Sequence, residues 1–145
     1  MLNKILNIND LNKNFFKKIE NKNIVLCHGV FDMLHIGHLN HFEESRKFGQ
    51  ILIVSITKDE FVNKGPNRPA FTSSLRMEAI SSLGVIDYVV ENEWPEATNA
   101  IKAIKPDIYC KGPDYKNLSS DITGKINEEK FTYRNFFNNW NNHYI

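Results

Sequence analysis

The chain has little of several things. Two cysteines stand among 145 residues, too few for a disulfide framework, so a reducing, cytoplasmic setting is expected. Charge of one sign is missing too: eighteen Lys and Arg face seventeen Asp and Glu, a formal net charge of +1. No broad positive field is available for nucleic acid or an anionic membrane, so any phosphate recognition has to be local and geometric. The longest strongly apolar run, Ile51–Ile56, falls far short of the about 20 residues that span a bilayer. The opening MLNKILNINDLNKN shows no apolar core followed by a small-residue cleavage site, and no secretion signal is read there. Seven glycines and five prolines form no flexible linker and punctuate single turns, so one domain is expected. Folding a chain of this size removes roughly two-thirds of its surface from water, enough for a core without disulfide or structural metal.

What is present is an alternation of short apolar runs and amphipathic stretches. Ile24–Cys27, Ile51–Thr57, Ile86–Val90 and Asp107–Cys110 read as strands. The second is apolar on both faces, as a buried parallel strand requires. Between them, helices are expected over Gly37–Phe48, over Ser73–Leu83 behind a Thr72 or Ser73 cap, and over Ala97–Ile104. Leu75, Ala79, Ile80 and Leu83 would face inward on the second of these. The first twenty residues read as a helix packed through Leu11, Phe15, Phe16 and Ile19. This order implies an α/β, doubly wound (Rossmann-like) parallel sheet with right-handed crossovers. With the four strands in the order 3-2-1-4, Cys27 and Cys110 would be close neighbours and reduced. The nineteen Asn are read as compositional bias.

In such a sheet ligands bind beyond the carboxyl ends of the strands, which singles out the loops 28–37, 58–72 and 111–121. The first, His28-Gly29-Val30-Phe31-Asp32-Met33-Leu34-His35-Ile36-Gly37-His38, runs from a strand straight into a helix. Gly29 lets the backbone turn tightly, and Gly37 leaves the first helical turn open to an anion. His35 and His38, three apart, would share one helix face beside the N-terminus, where the macrodipole favours negative charge. Zinc is the rival reading for the nearby Cys27, His28, His35, His38 and His41. However, His41 lies roughly 240° round the helix from His35, and no second ligand pair follows. No metal site is expected.

GVFDMLHIGH resembles the GxFDxxHxGH signature of the cytidylyltransferase-like nucleotidyltransferases. Asn67-Arg68-Pro69, Leu75-Arg76-Met77, Val85–Val90 and Lys111-Gly112-Pro113-Asp114-Tyr115 are similar to successive landmarks of the bacterial heptose-phosphate adenylyltransferase branch, and less closely to glycerol-3-phosphate cytidylyltransferase. The resemblance implies transfer of a nucleoside monophosphate from ATP or CTP, as a Mg2+ chelate, to a sugar or polyol phosphate. Pyrophosphate would leave, and cell-surface polysaccharide is the implied destination. It further implies His35 and His38 as donors to the phosphates and Lys64 as a mobile cation in catalysis. Val30, Phe31, Asp32, Gly37, Arg76, Lys111, Gly112 and Asp114 would hold the nucleotide, with Asp32 also open to the bland role of shaping the turn. A homodimer, and a sugar kinase on a separate chain, are the implied partners.

Residues 21–130 carry this core, after an N-terminal helical segment over 1–20. Residues 131–145, FTYRNFFNNWNNHYI, hold six aromatics and five Asn. They contain no Ser-Thr pair like the one the resembling family places before its last helix. A second reading therefore stands beside the enzyme: a nucleotide-binding module impaired in turnover.

Overall fold

The structure, a computed structural model, describes residues 3–111. Its elements are β1 (Ile5–Leu6), α1 (Lys13–Lys18), β2 (Ile24–Gly29), α2 (Ile36–Arg46), β3 (Ile51–Thr57), α3 (Ser73–Ser81), β4 (Tyr88–Asn92), α4 (Thr98–Ile104) and β5 (Ile108–Cys110). Short 3-10 turns lie at Ile8–Asp10 and Asp59–Phe61. The five strands form one sheet in the order β1-β4-β3-β2-β5, every pairing parallel. This is the expected α/β doubly wound, Rossmann-like architecture, and the four anticipated strands stand in the anticipated order.

Side-chain alternation along the strands divides the core into two layers. Ile24, Leu26, Ile51, Ile53, Val90 and Tyr109 meet Phe15 and Ile19 with Ala100, Ile101 and Ile104 of α4 on one face. Val25, Cys27, Leu52, Val54, Ile56 and Val89 meet Phe42 of α2 and Ile80 of α3 on the other. All seven residues of β3 are buried, as a central strand covered on both sides must be. Cys27 lies opposite Cys110 in register, both buried and both free thiols. Burial pushes the Cys27 thiol well up, which keeps it protonated.

The N-terminal segment departs from the expected helix. Only Lys13–Lys18 is α-helical, while Ile5–Leu6 adds an edge strand to β4, Ile5 opposite Val89 and Leu6 opposite Val90. Asparagines cause the break. Asn7 caps the 3-10 turn by accepting from the Asn9 and Asp10 N–H groups, and Asn12 caps α1 by accepting from those of Asn14 and Phe15. Short polar side chains of this kind compete with helix continuation and favour caps. Leu11, Phe15, Phe16 and Ile19 do pack on the body as expected.

Phe42 is fully buried and lies edge-on beneath the ring of Phe31, 5.0 Å between centroids. Phe42→Ala should therefore cost about 3–5 kcal/mol. Urea denaturation should show this as a lower midpoint with an unchanged slope, and a midpoint like that of the wild type would contradict the packing described.

Candidate active site

The carboxyl end of β2 feeds a turn in which three aromatic rings fold over glycine or over each other. A Cβ on Gly29 would lie 2.9 Å from the Phe31 ring, so only glycine fits beneath it. Phe31 itself has φ 49°, a left-handed conformation uncommon for a bulky residue and typical of functional turns. Its buried ring stands edge-on to His38 at 5.5 Å and to Phe42. The turn thus seats His38 directly on the core.

His35 and His38 hold each other. His35 is the N-cap of α2: its Nδ1 accepts the Gly37 N–H at 3.0 Å, while His38 Nδ1 accepts the N–H of His35 at 3.2 Å. A ring nitrogen that accepts carries no proton, so these bonds place the proton of each ring on Nε2. The rings lie 4.0 Å apart at 33°. Gly37 serves this arrangement, because a Cβ there would sit 2.8 Å from His35 Cε1. Two histidines at the start of a helix, Nδ1 engaged and Nε2–H donating, suit an anion better than a metal. Among the described residues no group of three His, Cys, Asp or Glu is placed to hold a metal ion.

Asp32 organises the opposite wall. Its side chain is 3% exposed. Oδ2 accepts from Arg68 Nη1 at 2.9 Å and from the Ala70 N–H at 2.7 Å, and Oδ1 accepts from the Phe71 N–H at 3.0 Å. Burial pushes this carboxyl up, yet the two backbone N–H donors and the nearby Arg68 and Arg76 cations outweigh it and hold it below its ordinary value. Engaged in this way, Asp32 shapes the loop before α3.

Arg76 departs from expectation. In place of a fork aimed at phosphate, it is buried, 2% exposed. Nε donates to the Phe71 carbonyl at 3.0 Å, Nη1 to those of Val30 at 2.8 Å and Thr57 at 2.9 Å, and Nη2 to Asp59. Four of its five donors are spent inside the protein. Its partner is Asp59, whereas Asp87 takes the Leu52 N–H and Arg46. Because Arg76 turns inward, the buried stripe of α3 runs through Arg76 and Ile80, while Leu75 and Ala79 face outward. They line a cavity of about 300 Å³ with Phe31, Leu34 and Phe71.

Lys64 stands exposed on the loop after β3, and Lys111 follows β5 with Nζ 5.6 Å from the Tyr109 ring centroid. Gly112 and Asp114, like residues 131–145, lie outside the described residues. The structure also brings forward groups that no sequence motif singles out. Lys58, at the end of β3, pairs with Glu93 and Glu60, and these two carboxylates push its ammonium pKa up. Asn92, fully buried, donates to the carbonyls of Trp94 and Glu96 and so shapes the loop after β4. Arg68 was legible only as part of a landmark, without a task.

The lowered pKa of Asp32 fixes a sign. Its stabilisation is complete above the ordinary carboxylate value of about 4 and is lost as pH falls through the lower folded value. Asp32→Asn should lower the urea midpoint at about pH 6 and converge on the wild type towards about pH 2. A stability gap that persists at the acid end would show that the carboxylate charge is not what holds the loop.

Comparison with known proteins agrees with this geometry. The family described as cytidylyltransferase-like matches residues 26–142. The bifunctional protein HldE of Desulfatibacillum aliphaticivorans is 40% identical over 99 residues, 67% of this chain and 20% of that protein. HldE of Helicobacter hepaticus is 40% identical over 111 residues, 75% of this chain and 23% of that protein. The chain thus spans about a quarter or less of the length of these curated relatives. A solved structure, the lipopolysaccharide core biosynthesis protein from Thermoplasma volcanium GSS1, aligns with TM-score 0.63 and 31% identity over 74% of this chain and 88% of its own. With its His35–His38 turn at the carboxyl end of a parallel sheet, the chain belongs to the cytidylyltransferase-like family.

Proposed function

We propose that the protein transfers a nucleoside monophosphate, from ATP in preference to CTP, to the phosphate of a sugar, releasing pyrophosphate for cell-surface polysaccharide synthesis. The observation that carries this reading is the reciprocal capping of His35 and His38, which gives the N-terminus of α2 two oriented Nε2–H groups. An oxygen of the acceptor phosphate attacks the α-phosphorus in line. One P–O bond forms there as the bond to the β-phosphate oxygen breaks, and the electron pair leaves with pyrophosphate. The protein need not supply a nucleophile; positioning and donors aimed at the developing charge suffice. His35 and His38 donate to the phosphate oxygens, and the backbone of Val30, Phe31 and Gly37 lines their approach. Lys64 brings a mobile ammonium to the same phosphates, and Lys111, Gly112 and Asp114 extend the nucleotide site from the end of β5.

Mg2+ fits this site as the ion a triphosphate brings with it. The Asp32 oxygens are spent on the loop, so the described residues supply no carboxylate cage, and the ion would be held chiefly by the substrate's oxygens. No helix among the described residues is long and apolar enough to cross a membrane, and a site of this kind works on water-borne substrates in the cytoplasm. A homodimer and a separate sugar kinase that supplies the acceptor complete the proposal. The kinase reading is supported by the word "bifunctional" in the name of the much longer HldE relatives.

Incubation with ATP or CTP, Mg2+ and heptose 1-phosphate should release pyrophosphate, faster with ATP. Nucleotide binding in a calorimeter without any turnover would replace this reading with that of an impaired binding module. His35→Ala and His38→Ala should each lower kcat on the order of 100- to 1000-fold. Gly37→Ala should lower kcat as well, because the added methyl displaces the His35 ring. Full activity in Gly37→Ala would show that the cap does not orient the donor.

A further inference from the structure

We propose that Arg68 binds the phosphate group of the acceptor, with Asp32 as the residue that positions it. This rests on the transfer reaction proposed above and names the group that recognises its second substrate.

The inference starts from an inventory of positive charge at the carboxyl edge of the sheet. Arg76 is buried with four donors spent and its charge matched by Asp59. Lys58 is matched by Glu60 and Glu93. Lys111 leans over the Tyr109 ring. Among the described residues Lys64 and Arg68 remain, both on the loop between β3 and α3. Lys64 is exposed with nothing to fix it, whereas Arg68 is anchored: its side chain is 34% exposed and its Nη1 donates to a carboxylate that is itself 3% exposed.

That anchor is unusual in its economy. Asp32 also takes the N–H groups of Ala70 and Phe71, so one buried carboxylate fixes both the guanidinium and the backbone that follows it. The loop approaches Arg68 through Gly65 at φ 101° and Asn67 at φ 61°, conformations that turn the chain sharply. Of the five N–H donors of Arg68, one goes to Asp32, and the other four make no hydrogen bond among the described residues. A planar fork held at one corner and open along its other edges matches a phosphomonoester, which accepts two parallel hydrogen bonds. Asp32 adjoins Phe31, whose ring packs on His38, so the fork and the histidine pair are built on one turn. The chemistry requires such a division. The acceptor phosphate and the triphosphate are both anions, and bringing them together needs a cation on the acceptor's side that the triphosphate's own donors do not provide.

Steady-state kinetics with ATP and heptose 1-phosphate test this. Arg68→Gln should raise the KM for the sugar phosphate roughly 10- to 100-fold while the KM for ATP stays near the wild-type value. Arg68→Lys, which keeps the charge and loses the fork, should fall between the two. Asp32→Asn should raise the same KM, and the double variant should be no worse than Arg68→Gln, because both changes remove one interaction. A merely structural role would lower kcat and disturb both substrates together. A rise in the KM for ATP alone, or no change in either, would overturn the assignment.

If the wild-type chain gives no turnover, the transfer reading fails by itself, and Arg68 is judged by calorimetry. Heptose 1-phosphate would be titrated into protein loaded with a non-hydrolysable ATP analogue. Weaker sugar-phosphate binding by Arg68→Gln with nucleotide binding intact supports the assignment. Equal binding by both proteins, or none by the wild type, refutes it. Thermal melting of each variant separates loss of fold from loss of recognition.

Discussion

The carboxyl edge of the sheet depends on one buried cation. Arg76 draws in the carbonyls of Val30, Thr57 and Phe71 and the carboxylate of Asp59, which come from the turn after β2, the end of β3, the loop before α3 and the 3-10 turn between them. A guanidinium taken out of water is tolerated only when its donors are nearly all met, and the converse follows. Three carbonyls pointed at one place would be unsatisfied without it. Asp32 does the complementary work with the opposite sign, gathering two N–H groups and Arg68. One cation for carbonyls and one anion for amides turn three loops into a single rigid wall, and the positioning role proposed for the site needs that rigidity.

Much of the frame was legible because it rests on periodicity. Continuous apolar runs at Ile24–Cys27 and Ile51–Thr57 marked strands buried on both faces, and the expected strand order put Cys27 beside Cys110, where the register has them. Ile5–Leu6 was not legible. Two residues have no period, and their place is dictated by the unpaired edge of β4, which no local pattern reports. The asparagines were misread for a related reason. Their frequency looked like bias, while their effect is positional, at Asn7 and Asn12.

The site was legible in its spacing and opaque in its wiring. A spacing of three between His35 and His38 suffices to place them together on one turn. Spacing does not disclose that each ring caps backbone through Nδ1, which decides which nitrogen carries the proton. Leu75 was placed inside because amphipathic reasoning puts the apolar residue in and the charge of Arg76 out, and here the carbonyls of neighbouring loops reverse the two. Asp59 lies seventeen residues from Arg76, beyond the reach of any local pairing rule. Buried charge networks are long-range by nature, and a single sequence reports them poorly.

Electrostatics then bear on how a chain with a net charge of +1 would handle the two polyanions of the proposed reaction. A diffuse positive field would attract the triphosphate and the sugar phosphate alike, without telling them apart. Here most cations near the cleft are already matched, Lys58 by two glutamates and Arg76 by Asp59. On the proposed reading, attraction within the described residues rests on a few oriented groups: Nε2–H donors at the start of α2 and an anchored fork on the loop before α3. Oriented donors need not reorganise as charge moves towards the leaving group, which is where positioning becomes catalysis. The near-zero charge is thus consistent with the proposed chemistry, in which discrimination between two anions comes from where a few oriented donors are held.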